Sequence, residues 1–234
     1  MRITVRNSCR TIVALTVVLF ASPQPAHANK RDFAFTYEWW TASKGEKEIE
    51  VWNTYDTREK AYQGQVEYET GITDRLSLAV YALREKTSGE TGANGYKVES
   101  RYRFGDYKEC TILPAAYLEY EKIKGETSEL EGKIILSRYA DGTSLSLNLI
   151  AARHTERGAE TKTGYALGYA RGTGNPKLRF GVEAVGSFKD KVHGIGPTVA
   201  YDLSSSVRAI MSTNFALTRQ ADNQARLLIE YEFF

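Results

Sequence analysis

Long apolar segments are scarce in this chain. The longest, Thr11–Ala21, is well short of the about 20 apolar residues that a membrane-spanning helix needs. No later segment comes closer, so the sequence argues against a protein that crosses a membrane with helices. With 26% charged residues and a mean hydropathy of −0.42, composition alone suits a water-soluble protein. A soluble β-sandwich is therefore the alternative that any membrane interpretation must displace.

Cysteine and histidine, the usual residues of disulfides and many metal sites, are also scarce. Cys9 precedes the apolar segment, and Cys110 is the one other cysteine, so we expect neither an internal disulfide nor a cysteine-based zinc site. The chain has three histidines, and no ligand cluster, phosphate-binding loop or cofactor motif stands out. We therefore expect no metal and no cofactor.

The N-terminus has the three parts of a secretory signal peptide. Arg2, Arg6 and Arg10 form a basic region, Thr11–Ala21 is the apolar core, and Ala26-His27-Ala28 places small residues at a cleavage site. We expect residues 1–28 to be removed after Ala28. The mature chain would then carry 28 basic and 29 acidic residues, a net charge of −1. A near-neutral chain has no general attraction for nucleic acid, so we expect no nucleic-acid partner.

Alternation with a period of two residues is the main positive signal. It is clearest in segments 61–72, 96–104 and 225–233, where apolar and aromatic residues alternate with charged ones. Such segments are β-strands with one apolar and one polar face. The same pattern predicts an all-β, antiparallel fold of about twelve strands, with ten or fourteen as alternatives. The predicted strands are 46–57, 61–72, 76–86, 96–104, 111–122, 129–140, 145–155, 161–171, 177–188, 193–203, 207–218 and 225–233.

The connections favour a transmembrane barrel over a sandwich. Short joints such as Asp141-Gly142-Thr143 and Ser204–Ser206 alternate with connections that are mostly longer and more polar, such as Glu85–Gly95 and Thr218–Gln224. Short periplasmic turns and longer external loops are typical of outer-membrane barrels. Aromatic residues on the apolar faces fall near both strand ends, as in the two aromatic girdles of such barrels. We therefore expect residues 46–234 to form the barrel.

The last strand carries a family resemblance. Segment 225–234 (ARLLIEYEFF) resembles the C-terminal signature of Gram-negative outer-membrane barrels, and segment 70–78 (TGITDRLSL) looks like their periplasmic turns. The resemblance implies the outer membrane as location, the lipid bilayer as surroundings and the barrel assembly machinery as a partner. The assembly signal would comprise Leu227, Ile229, Tyr231, Phe233 and Phe234. In this chain the apolar face ends on Phe233, one residue before the terminus.

The polar faces of the strands predict the lining of the lumen. The residues assigned to it are Gln63, Gln65, Glu67, Glu69, Lys97, Glu99, Arg101, Arg103, Glu119, Glu121, Glu131, Lys133, Arg179, Glu183, Arg208 and Glu230. Their mixed charges fit either pairing across the lumen or a polar path. Two functions follow: a narrow porin-like channel for small polar solutes, or a largely closed structural barrel. The alternative class is a lipase- or protease-like enzyme at the rim with His154 or His193, but no catalytic motif supports it.

The segment 29–45 precedes the first predicted barrel strand. It is rich in aromatic residues, among them Trp39 and Trp40, and an apolar segment of this kind is poorly suited to exposure in water. Two arrangements fit the sequence. The segment either folds into the lumen or its periplasmic mouth, or extends the first strand and pairs with the last. The small residues proposed to receive it are Gly164, Ala166, Gly168, Ala170, Gly181, Gly194, Gly196, Thr198 and Ala200.

Overall fold

The computed structural model describes residues 31–86 and 92–234. The predicted signal peptide and its cleavage site lie outside these residues. The described chain forms twelve antiparallel strands that close into one barrel, in the order of the sequence. The strands are β1 Lys47–Asp56, β2 Ala61–Gly71, β3 Leu76–Lys86, β4 Ala93–Arg103, β5 Leu113–Ile123, β6 Glu129–Ala140, β7 Thr143–His154, β8 Lys162–Gly172, β9 Leu178–Ser187, β10 Val192–Asp202, β11 Val207–Ala216 and β12 Gln224–Phe233. Among the described residues, no helix is long and apolar enough to span a membrane.

The predicted fold class and strand number are confirmed. Every predicted strand is present, and β6 has the predicted bounds. The largest difference at a strand start is in β4, which begins at Ala93 rather than at residue 96. The register there continues through Gly95, which pairs with Leu83 of β3. Glycine obscures the alternation in the sequence, but its backbone still pairs.

Closure of the barrel depends on the pairing of β1 with β12. Their register runs without interruption from Lys47↔Phe233 to Asp56↔Gln224. Because the two terminal strands pair with each other, the sheet has no open edge. A closed sheet pairs its backbone polar groups internally, which is the condition for a β-structure to cross hydrocarbon.

The two faces of the barrel differ in the way that a membrane requires. Val66 is 51% exposed on the outside, while the next residue, Glu67, is 1% exposed on the inside. The same holds for Leu149 at 48% and Asn148 at 0%. Many large apolar side chains are similarly exposed on the outer surface. In water this surface would be an extensive exposed apolar patch. In a membrane it would face the hydrocarbon of the lipid, as the outer surface of a transmembrane barrel does.

One short joint is explained by its backbone geometry. Asp141 and Gly142 connect β6 to β7, and both have positive φ angles, 49° and 70°. Positive φ at both central residues defines the type I′ turn, whose twist matches that of paired strands. The predicted turn at this position is therefore confirmed.

The interior of the barrel contains residues 31–46. Within this segment the backbone makes an isolated bridge, between Lys44 and Gly71, and no strand. The side chains of Phe33 and Trp39 have no solvent exposure. The segment thus lies inside the lumen, and both its beginning at Asp32 and its end at Lys44 contact the end of the barrel that carries the short turns.

The orientation of the strands can be tested by a matched pair of arginine substitutions. Val66→Arg places a charge on the lipid face near the middle of β2 and should destabilise the protein by roughly 2–4 kcal/mol. Gln65→Arg changes the neighbouring residue, which faces the lumen and is half-buried, and should cost much less. Urea unfolding of the protein refolded into lipid vesicles measures both. Equal losses would show that the assigned faces are wrong.

Candidate functional site in the barrel lumen

The carboxylate of Glu183 holds the segment in the lumen through its backbone. It accepts hydrogen bonds from three successive backbone N–H groups: Ala34 at 3.0 Å, Phe35 at 2.8 Å and Thr36 at 2.8 Å. The hydroxyl of Ser212 donates a fourth at 2.8 Å. Glu183 lies on β9 and is 1% exposed. Hydrogen bonds to an ionised acceptor are among the stronger ones in proteins, about 1.5–3 kcal/mol each.

Side chains of the wall also hold the backbone of residues 37–39. Asn148 of β7 accepts from the backbone N–H of Tyr37 at 2.7 Å and donates to its carbonyl at 2.8 Å. Ser146 donates to the same carbonyl at 2.7 Å. The hydroxyl of Ser137 on β6 accepts from the backbone N–H of Trp39 at 3.0 Å. The wall therefore satisfies backbone groups that would otherwise be buried without partners.

Ion pairs fix the beginning of the segment. Arg31 lies 3.3 Å from a carboxylate oxygen of Glu50, and its carbonyl accepts a hydrogen bond of 2.8 Å from Arg208. Asp32 pairs with Arg179 at 2.6 Å and with Arg208 at 3.7 Å. These charged groups are largely desolvated. The desolvation cost of a buried ion pair is offset only when further hydrogen bonds satisfy its charged atoms, as they do here.

Cationic side chains also cover the aromatic rings of the segment. The guanidinium of Arg31 lies 4.6 Å from the ring centroid of Tyr37, and Lys133 lies 4.2 Å from the same ring. Arg226 lies 4.3 Å from the ring of Phe35. A cation over a ring contributes roughly 0.5–2 kcal/mol, and more when it is desolvated. These rings therefore contact two cations of the wall, Lys133 and Arg226, and one of the segment itself, Arg31.

The segment contacts the predicted small-residue wall through the ring of Phe33 and through the carbonyl of Asp32, which accepts from the Thr198 hydroxyl at 3.4 Å. A Cβ added at Gly168 would lie 2.8 Å from the ring of Phe33, so this glycine makes room for it. The other large rings lie elsewhere: Tyr37 packs on Tyr117 of β5, and Trp40 on Tyr139 of β6. The expectation that the aromatic residues of the segment pack on the small residues of β8–β10 is therefore wrong for Tyr37 and Trp40.

All the residues assigned to the lumen from sequence face the interior, and they fall into three groups. Arg101, Arg103, Lys133, Arg179, Glu183 and Arg208 contact the segment directly, and Glu69 and Glu99 do so beside Arg101. Glu67 of β2 and Glu230 of β12 are buried in the half of the barrel nearer the short turns, which is the end predicted to be periplasmic. Gln63, Gln65, Lys97, Glu119, Glu121 and Glu131 lie nearer the external end.

The structure adds two acidic residues of β1, Glu48 and Glu50, to the predicted lining. Their carboxylate oxygens lie within 4.8 Å of one another and of the predicted Glu230, and all three residues are buried. The alternation in β1 could have identified Glu48 and Glu50, because both continue the inward face. Asp32 gives no such signal, since it precedes the first strand. Ser137 and Ser146 were not assigned to the lumen, because a small hydroxyl side chain marks a polar face only weakly.

The external half of the lumen has an acidic sector. Five carboxylates face inward from β3, β5 and β6, and two lysines accompany them. Lys97 pairs with Glu119 at 3.0 Å, and Lys133 pairs with Glu131 at 2.7 Å. The remaining carboxylates of the sector are Glu85, Glu121 and Glu129. The sector therefore carries an excess of negative charge.

The two histidines of the described chain lie at the end of the barrel that carries the longer loops. His154 lies 3.6 Å from Glu129, and His193 stacks on the ring of Tyr165, whose hydroxyl lies 3.3 Å from its Nδ1. Both interactions are accounted for by packing at the external rim. They give no support to the enzyme alternative.

The C-terminal strand presents its apolar residues outward. Leu227 is exposed, Ile229 is partly exposed, and the rings of Tyr231 and Phe233 stack at 5.4 Å. Phe234 follows β12 and is 59% exposed. This surface is accessible from the membrane side, which is where a residue recognised during assembly would have to lie.

Comparisons with known proteins agree with this geometry. The family model described as "Putative MetA-pathway of phenol degradation" matches residues 112–228, half of the chain. The chain belongs to this family. A comparison with curated proteins finds no sequence match.

Solved structures with the same fold are outer-membrane channels. The COG4313 outer membrane channel from Pseudomonas putida F1 has a TM-score of 0.64 at 11% identity, over 83% of this chain and 98% of its own. The KdgM porin in complex with disordered oligogalacturonate has a TM-score of 0.61 at 10% identity, over 80% and 99%. The NanC porin has a TM-score of 0.60 at 10% identity, over 78% and 98%. At such identities the similarity establishes the fold.

The role of Glu183 can be measured by the accessibility of a buried cysteine. In a Cys110→Ser background, which removes the exposed thiol, Thr36→Cys places a thiol beside Glu183. The Thr36 hydroxyl has no hydrogen-bond partner among the described residues, so this change should be tolerated. Adding Glu183→Ala leaves three N–H groups without an acceptor, which should cost roughly 2–5 kcal/mol. Maleimide labelling should then accelerate at least about 20-fold.

Two further variants make this measurement specific. Glu183→Gln keeps one acceptor oxygen and should give an intermediate labelling rate. Glu126→Ala changes an exposed loop carboxylate and should leave the rate unchanged. If Glu183→Ala labels no faster than Glu126→Ala, the carboxylate does not hold the segment.

Proposed function

We propose that this member of the family is an outer-membrane channel for small polar solutes, narrowed by its own residues 31–46. The observation that carries the proposal is the arrangement inside the barrel. A closed twelve-stranded wall surrounds a segment that side chains of the wall bind through its backbone. Barrels of this size lie between filled eight-stranded barrels and open sixteen-stranded porins, so an internal segment determines how much of the lumen is open.

The location and maturation follow from the same proposal. Residues 1–28 would direct export and be removed, and the mature chain would begin two residues before the described part. The apolar outer surface and the aromatic C-terminus suit insertion into the outer membrane by the barrel assembly machinery. The three solved structures named above are described as an outer-membrane channel or as porins, which supports a channel rather than a purely structural barrel.

The solute class is suggested by size and by the family. A lumen occupied by a peptide segment leaves room for small molecules and excludes bulky ones. The family description refers to phenol degradation, so small hydroxylated aromatic compounds are the solutes to test first. The acidic sector in the external half would disfavour anions on their way in, while neutral molecules and cations would pass.

Removing the segment tests the narrowing directly. A chain lacking residues 29–45 should fold into a barrel with a higher single-channel conductance in a planar bilayer, because the lumen loses its internal obstruction. Heat-modifiable migration on gels establishes that the barrel has folded. A folded barrel with unchanged conductance would contradict the proposal, and a purely structural barrel predicts no stable conductance in the intact chain.

The acidic sector predicts a preference for cations. The intact channel should show a reversal potential of the sign for cation selectivity in a potassium chloride gradient. The triple change Glu121→Gln, Glu129→Gln and Glu131→Gln removes three carboxylates of the sector and should reduce that potential towards zero. Glu156→Gln, in the exposed loop after β7, is the matched control and should leave it unchanged. A potential unaffected by the triple change would show that ions do not pass the sector.

A further inference from the structure

A cavity of about 580 Å³ lies at the periplasmic end of the lumen. Its walls come from the lumen segment, the end of β4, the turn between β4 and β5, the turn between β6 and β7, and the start of β9. The volume falls within the roughly 300–1,000 Å³ of small-molecule sites. None of the five carboxylates of the acidic sector lines the cavity, so the two are separate parts of the lumen.

Aromatic rings form one side of this cavity. Trp40 of the segment stacks on Tyr107 with ring centroids 5.3 Å apart and an interplanar angle of 20°. Tyr139 of β6 lies 5.4 Å from the same tryptophan ring. Tyr107 is 48% exposed, so much of its surface is free for another ring. Offset stacking and edge contacts favour a flat aromatic ligand over an aliphatic one of the same size.

The charged groups around the cavity are balanced. Arg103 and Arg179 line it together with Glu46 and Glu109. Arg179 is already paired with Asp32, and one oxygen of Glu46 accepts from the backbone N–H of Ser43 at 2.7 Å. Equal numbers of cationic and anionic side chains provide donors and acceptors without a net charge. Such a lining suits a neutral hydroxyl, which both donates and accepts, better than it suits an ion.

Burial raises the pKa of two groups that line the cavity, Tyr107 and Glu46. Partial burial, together with the neighbouring Glu109 and Cys110, raises the pKa of the Tyr107 phenol above its ordinary value. Its hydroxyl therefore remains a donor at neutral pH. Burial also raises the pKa of the Glu46 carboxyl, although its hydrogen bonds to Ser43 oppose the shift.

We propose that this periplasmic cavity binds small neutral hydroxylated aromatic molecules, with the ring against Trp40 and Tyr107 and the hydroxyl groups between Arg103 and Glu46. The proposal rests on the channel function above, because it places a solute site at the point where the lumen opens into the periplasm. It goes beyond that function by assigning the residues that would hold the solute. The bound ring would stack on the exposed aromatic surface, and the hydroxyls would meet both a donor and an acceptor.

Calorimetric titration of the full mature chain in detergent tests the site, with catechol as the probe. A ligand of this size should bind with a Kd on the order of 1 mM. Cyclohexane-1,2-diol keeps the hydroxyls without the aromatic ring, and benzoate keeps the ring with a negative charge. Both should bind more weakly than catechol. Equal binding of the diol would overturn the aromatic part of the proposal, and equal binding of benzoate would overturn the preference for a neutral ligand.

Two substitutions locate the site. Tyr107→Ala, in an exposed turn, should weaken catechol binding roughly two- to tenfold by removing a stacking ring. Tyr102→Ala is the matched control, because Tyr102 lies at the same end of the barrel on the outer surface. It should leave binding unchanged. Equal losses in the two variants, or no catechol binding by the intact chain, would overturn the site.

The outcome separates the site from the channel function. Binding is measured without a membrane, so it does not depend on conductance. If deletion of the segment fails to change conductance while catechol still binds in a Tyr107-dependent manner, the channel proposal is wrong and the site remains. If conductance rises but catechol does not bind, the site is wrong and the channel remains.

Discussion

The pairing of β1 with β12 is the interaction on which the rest of this structure depends. It joins the first and last strands of the barrel over the full length of β1 and leaves the sheet without an edge. With the backbone satisfied inside the wall, the outer surface can be apolar from one end to the other. The same closure encloses a lumen that water reaches only from its ends. Both the membrane-facing surface and the internal site follow from this one closure.

The enclosed lumen creates a second requirement, because the side chains of a twelve-stranded wall do not fill it. Residues 31–46 occupy part of the space, and they bring backbone N–H and carbonyl groups into a region where few waters can satisfy them. Glu183, Asn148, Ser146 and Ser137 take the place of water. Arg31 and Asp32 bring charges, which Glu50, Arg179 and Arg208 balance. The segment is thus held by polar contacts to the wall together with a buried hydrophobic cluster that includes Ala34, Tyr37 and Trp39.

The organisation of the barrel was largely predictable, for a specific reason. In strands such as β2 and β12, successive residues face lipid and lumen in turn. Alternating apolar and polar residues in the sequence therefore indicate directly which side chains face each side of the wall. Glycines weakened this signal, as at the start of β4, where Gly95 pairs normally although it marks no face. Glu48 and Glu50 were predictable on the same ground as Glu67. Asp32 was not, because residues outside the strands have no periodicity to place them.

Local alternation along each strand was therefore sufficient to predict the barrel, a strand number of about twelve and the inward face of most strands. What fills the lumen depends instead on contacts between distant parts of the chain. Contacts such as Glu183 with the backbone of residues 34–36 join positions far apart in the chain, and they use N–H groups that every residue but proline possesses. No side-chain pattern records such a contact. The periplasmic cavity arises in the same way, from Trp40, Tyr107 and Tyr139, which meet only after the barrel has closed around the segment.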